Sequence, residues 1–152
     1  MLDNPDVVFA RIAGARGLLD EEQVETLFGV QALDRMRGVR RSIATLCIVE
    51  GMLSRTAAAS VTSAARYYLV RQADKQYGKV IAARGLVPTS LIEGLLEDQR
   101  RFFQEKRVLQ RLSKILLGAG AISPDDDAAA KREVLGQPAT EEAVAAGVGA
   151  VE

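Results

Sequence analysis

Glycine recurs at Gly17, Gly51, Gly85 and Gly120, separated by 34, 34 and 35 residues. Each is the tenth residue of a similar segment, and the segments start at Val8, Ser42, Gln76 and Arg111. Before the glycine lies a short apolar stretch whose fifth position is Ile12, Leu46, Val80 or Ile115. After it come two mostly aliphatic residues: Leu18-Leu19, Met52-Leu53, Leu86-Val87 and Ala121-Ile122. Asp20, Ser54, Pro88 and Ser123 follow. This even spacing constrains the fold more than any other feature, because a repeated unit buries its apolar face against its own copies.

Chemically, the pattern is a helix stop followed by a helix start. Glycine enters the left-handed conformation that closes a helix, at a cost of roughly 1–2 kcal/mol for other residues. Asp20 and Ser54 are side-chain caps for the next helix, and Asp20 with Gln23 forms a capping box. Ser123-Pro124-Asp125 places a cap, a first-turn proline and then acids at the positive end of the helix dipole. The third segment has Pro88 at the cap position, which leaves Thr89 to cap one residue late.

A longer second helix follows each start. Ile92, Leu95, Leu96, Gln99, Phe102 and Phe103 fall on one face of a helix, and Val24, Leu27, Phe28 and Gln31 repeat the same offsets. No alternating strand pattern of useful length occurs. The expected fold is all-α: about four helix–turn–helix repeats of 34–35 residues, forming a compact helical bundle or a short solenoid. Neither Gly nor Pro occurs between Ser54 and Tyr77, so the helix there reads as long or bent, and the sequence does not locate its break point. The fourth segment is degenerate, with Asp126 and Asp127 where the third has Leu91 and Ile92; it reads as a polar cap or a frayed helix. Residues 1–135 are expected to form the helical domain, and 136–152, which lack large apolar residues, a flexible tail.

Residue counts exclude several chemistries. There is no His, and the single cysteine is Cys47. Nucleophile pairs that need an imidazole base, Cys/His zinc sites and an internal disulfide are therefore excluded. Twenty basic residues balance twenty acidic ones, which argues against nucleic-acid binding. No secretory leader and no apolar run of membrane-spanning length is apparent, so a cytoplasmic location is the expectation.

Several residues invite a functional role and have a plainer structural one. Cys47 shares its repeat column with Ala13, Ile81 and Leu116 and reads as core. Asp125-Asp126-Asp127 lacks calcium-loop spacing and reads as first-turn acids, so no metal is expected. The basic stretch over Gln99–Lys114 reads as a solvated face whose phenylalanines point inward, with Glu97, Asp98 and Glu105 offsetting its charge. Gln31 and Gln99 sit inside apolar stripes, in the first and third segments only. Each reads as an amide bonded to a turn carbonyl or as a ligand-facing polar group, and their alternation points to two similar halves.

Gln76-Tyr77-Gly78, Gly85-Leu86-Val87, Leu91, Leu95 and Gln99, followed by Arg111-Leu112 and Gly120-Ala121-Ile122-Ser123-Pro124, resemble the tandem N-terminal repeats of type II secretion and type IV pilus assembly ATPases. The resemblance covers most of residues 8–135, and no phosphate-binding ATPase loop accompanies it. A version of that domain binds cyclic di-GMP. The resemblance thus implies a ligand set of Tyr77, Gly78, Gln99, Arg111 and Leu112, although Gln76 and Ser113 depart from the family's Arg and Gly.

Two functions compete. The first is a non-enzymatic protein-interaction or regulatory module without cofactors, an adaptor in bacterial signalling or in assembling a larger complex, with homo-oligomerisation open. The alternative is a cyclic di-GMP-binding sensor. An enzyme using carboxylates ranks third, since no carboxylate pair stands out.

Overall fold

The computed structural model describes residues 4–136. Among them the chain forms seven helices and no strand: α1 Pro5–Ala15, α2 Glu21–Met36, α3 Ile43–Val49, α4 Arg55–Ala83, α5 Thr89–Lys106, α6 Leu112–Gly118 and α7 Pro124–Gly136.

The four glycines end α1, α3, α4 and α6 in the same way. Gly17, Gly51, Gly85 and Gly120 all take positive φ, between 72° and 73°. The glycine N–H donates three residues back: Gly17 to the Gly14 carbonyl at 3.0 Å, Gly51 to Ile48 at 3.1 Å, Gly85 to Ala82 at 3.0 Å and Gly120 to Leu117 at 3.1 Å. The next N–H reaches five residues back: Leu18 to Ala13, Met52 to Cys47, Leu86 to Ile81 and Ala121 to Leu116, at 2.9, 2.9, 3.3 and 3.0 Å. This paired closure satisfies carbonyls that the helix end would orphan.

The starts differ more. Asp20 and Gln23 form the expected capping box, with reciprocal bonds of 2.7 and 2.9 Å. Ser54 accepts from the Ala57 N–H at 3.1 Å and Ser123 from the Asp126 N–H at 3.1 Å. At α5 the expectation fails: Pro88 is the cap residue, no side chain caps the helix, and Thr89 is already helical. Proline has no side-chain oxygen to offer, and its ring sets only the entry conformation.

With no glycine or proline to interrupt it, the stretch after Ser54 runs as one 29-residue helix, α4. It joins what the sequence treats as the second helix of the second segment to the first helix of the third. The degenerate fourth segment still forms a 13-residue helix, α7, with Ala130 buried. Gly136, where the tail is expected to begin, is the last residue of α7; the remainder of the expected tail lies outside the described residues.

The described chain divides into two compact units, residues 4–68 and 69–136, with the boundary inside α4. In the first unit Phe9, Leu19, Leu27, Ile43, Leu46, Cys47 and Val61 form the core. In the second, Val80, Ile81, Ile92, Leu112, Leu116 and Ala130 do so. The column Ala13, Cys47, Ile81 and Leu116 has 0% exposure throughout. Burial raises the Cys47 thiol pKa, which keeps it a neutral hydrophobe. No described helix is long and apolar enough to cross a membrane.

Candidate functional site

Each unit holds its helix junction with the same polar device. In the first, the Gln31 amide Nε2 donates to the Asp6 carboxylate at 2.8 Å and to the Arg41 carbonyl at 2.9 Å. Asp6 also accepts from the Ile43 N–H at 3.1 Å. In the second, the Gln99 Nε2 donates to Asp74 at 2.7 Å and to the Gln110 carbonyl at 2.6 Å, while Asp74 accepts from the Leu112 N–H at 2.9 Å. Asp74 lies 68 residues after Asp6, and Gln99 lies 68 after Gln31. Leu112 and Gln110 lie 69 after Ile43 and Arg41, one residue having been added at the end of α5.

Ile43 and Leu112 are the first residues of α3 and α6, whose opening N–H groups have no partner within the helix. A carboxylate on α1 or α4 caps them from outside. The glutamine ties that carboxylate to the linker carbonyl, so both chains entering the junction are held by one side chain. The sequence signal is faint but real: an aspartate stands 25 residues before each glutamine. An isolated Asp in a helix carries no pattern of its own, so the residue types alone do not mark it.

The two sites differ in completeness. Arg35 donates to the Gln31 Oε1 at 3.3 Å. The equivalent position holds Phe103, and the buried Gln99 Oε1 has no bonding partner among the described residues. Asp74, 1% exposed, gains Arg111 Nε at 3.1 Å. In the first unit Ser42 stands where Arg111 does, and Arg41, the counterpart of Gln110, pairs with Asp34 at 2.8 and 3.0 Å; this hydrogen bond holds the Asp34 carboxyl below its usual range.

The residues implied by the family resemblance all fall in the second unit. Gln99, Arg111 and Leu112 meet at Asp74, a residue outside the implied set. Gly78 packs under α5: a Cβ there would lie 2.6 Å from Ile92 Cγ2 and 3.3 Å from Leu112 Cδ2. Tyr77 turns elsewhere, its hydroxyl donating to the Asp127 carboxylate at 2.6 Å. Burial and then Asp127 raise the Tyr77 pKa above its ordinary value. Burial also pushes Asp127 upward, but the Tyr77 hydroxyl and Lys131 outweigh it and hold the carboxylate below its usual range. Arg111 alone of the five is substantially exposed.

Outside these networks, the solvent faces of α2 and α5 part company. At equivalent positions α2 exposes Gly29, Ala32, Leu33 and Met36, whereas α5 has Glu97, Arg100, Arg101 and Gln104. On α5 the charges pair within the helix, Arg100 with Glu97 and Arg101 with Asp98. Phe103 is buried and carries the Arg107 guanidinium 5.5 Å from its ring centre, so the basic stretch is a solvated face over inward phenylalanine. No group of three or more His, Cys, Asp or Glu among the described residues is placed to hold a metal ion.

No protein-family model, no curated protein and no solved structure matches the chain.

Proposed function

We propose that this chain is a non-enzymatic protein-interaction module, four copies of one helix–turn–helix unit grouped as two related halves, serving as an adaptor in bacterial signalling or in assembling a larger complex. The observation that supports it most is the contrast between α2 and α5. The interior device is the same in both halves, as folding requires. The exterior is not: Leu33 and Met36 are 54% and 83% exposed where α5 carries Arg101 and Gln104. Leaving aliphatic side chains in water forgoes about 25 cal/mol per Å² of burial, and an exposed apolar helix face is a common element of protein-binding sites. The test is a photo-crosslinking residue placed at position 36 or at position 101 of the full chain in native cell extract. The expected result is protein adducts from position 36 and few from 101; equal or no adducts from both would overturn the reading.

Cyclic di-GMP sensing is the second reading, favoured by the convergence of Gln99 and Arg111 and by the unpartnered Gln99 Oε1. It ranks lower on electrostatic grounds. A phosphate approaching Arg111 meets the Asp74 carboxylate already bonded to it. Titration calorimetry is expected to show no low-micromolar binding; such binding, abolished by Arg111→Ala, would reverse the order.

A further inference from the structure

We infer that the outer face of α2 packs antiparallel against the same face of a second copy of this chain, giving a weak two-fold dimer. The inference rests on the protein-interaction reading and names the partner.

The exposed positions of α2 are Glu21, Glu22, Glu25, Thr26, Gly29, Ala32, Leu33, Arg35 and Met36. Glu22, Glu25, Gly29, Ala32 and Met36 follow alternating steps of three and four, the spacing by which one helix meets another along a continuous seam. The centre of this face is apolar and low, because Gly29 and Ala32 have little or no side chain. Leu33 and Met36 stand beside them.

Charge decides the occupant. The N-terminal end of the face is acidic, with Glu21, Glu22 and Glu25, and its C-terminal end carries the exposed cap residue Arg37. An antiparallel second copy sets each acidic end against the other's basic end, so one surface complements itself, as a two-fold interface requires. With Gly29 opposite Ala32, Glu25 comes opposite Met36 and beside Arg37. The helix dipoles also oppose favourably in this arrangement. A parallel arrangement would set acid against acid and base against base. The corresponding face of α5 lacks this polarity: its central residues are Glu97, Arg100 and Arg101, paired within the helix.

A single helix pair buries less than the roughly 1,200 Å² of a stable standard interface, so the association is weak and reversible. Sedimentation equilibrium of the full chain from about 10 µM to about 500 µM is the measurement, a range that brackets such affinities. The expected mass rises with concentration from 16.4 kDa toward twice that value. Met36→Glu, Glu25→Arg and Arg37→Glu should each raise the dissociation constant about tenfold or more. An equimolar mixture of the Glu25→Arg and Arg37→Glu chains should recover a heterodimer, because both end contacts again pair opposite charges. Recovery on mixing also shows that both variants are folded. A constant mass of 16.4 kDa for the wild type, or a mixture no stronger than its components, would overturn the inference. So would crosslinks from position 36 exclusively to another protein, an outcome that leaves the protein-interaction reading standing.

Discussion

Gly85 and Gly94 are both glycines near α-helical segments, yet they do opposite work. Gly85 has φ of 73°, where a β-branched side chain is strained, whereas Gly94 lies inside α5 with nothing within 4 Å of the place a Cβ would take. Gly85→Val should lower stability by about 1–2 kcal/mol or more, and Gly94→Ala should raise it by up to about 1 kcal/mol. Urea denaturation of the two variants checks this, and equal midpoints would contradict the assigned helix stop. Gly78 is a third case. Its freedom is steric rather than conformational, since an added Cβ would press on Ile92 Cγ2, part of a stiff β-branched side chain. Gly78→Ala should therefore cost about 1–3 kcal/mol, as overpacked sites do; an unchanged melting temperature would show that α4 and α5 can separate there. The helix-stop glycines are legible from spacing, because local backbone geometry demands them. The role of Gly78 is not, because it depends on what crosses it.

At the scale of elements, the buried carboxylate on α4 does for α6 what a local cap does elsewhere. Arg111, the cap residue of α6, makes no side-chain capping bond; Asp74 receives the Leu112 N–H in its place. Asp74→Ala should cost about 2–3 kcal/mol, the range for losing hydrogen bonds to a charged group, and should speed hydrogen exchange at the Leu112 amide. Asp6→Ala should cost less, since Asp6 is only half-buried. The α4–α7 contact adds a pH dependence. Tyr77 is held neutral by burial and by Asp127, so its folded pKa lies above the ordinary value of 10.0. Its contribution is complete below pH 10.0 and falls as pH rises beyond it, because only the unfolded chain then readily ionises. Thermal melts from pH 8 to about 11 should show this alkaline loss in the wild type and a shallower one in Tyr77→Phe. Identical slopes would mean the hydroxyl is not protected.

For the molecule as a whole, far-UV circular dichroism should be that of an almost wholly helical protein; a substantial β signal would contradict the fold. The absence of strands among the described residues and the helix stops at Gly17, Gly51, Gly85 and Gly120 were settled by the sequence alone, since periodicity and glycine placement act within a few residues. So was the inward column of Ala13, Cys47, Ile81 and Leu116, because the register of each short helix follows from its glycine. Only the tertiary structure decided that α4 runs unbroken, that Gln31 and Gln99 are held by Asp6 and Asp74, and that Tyr77 bonds Asp127. Each of these joins residues from different helices or requires that no local signal intervene, and side chains brought together by packing leave little trace in linear order. The bare outer face of α2 belongs to the same group: its residues are visible in the sequence, but their exposure depends on what the rest of the chain covers.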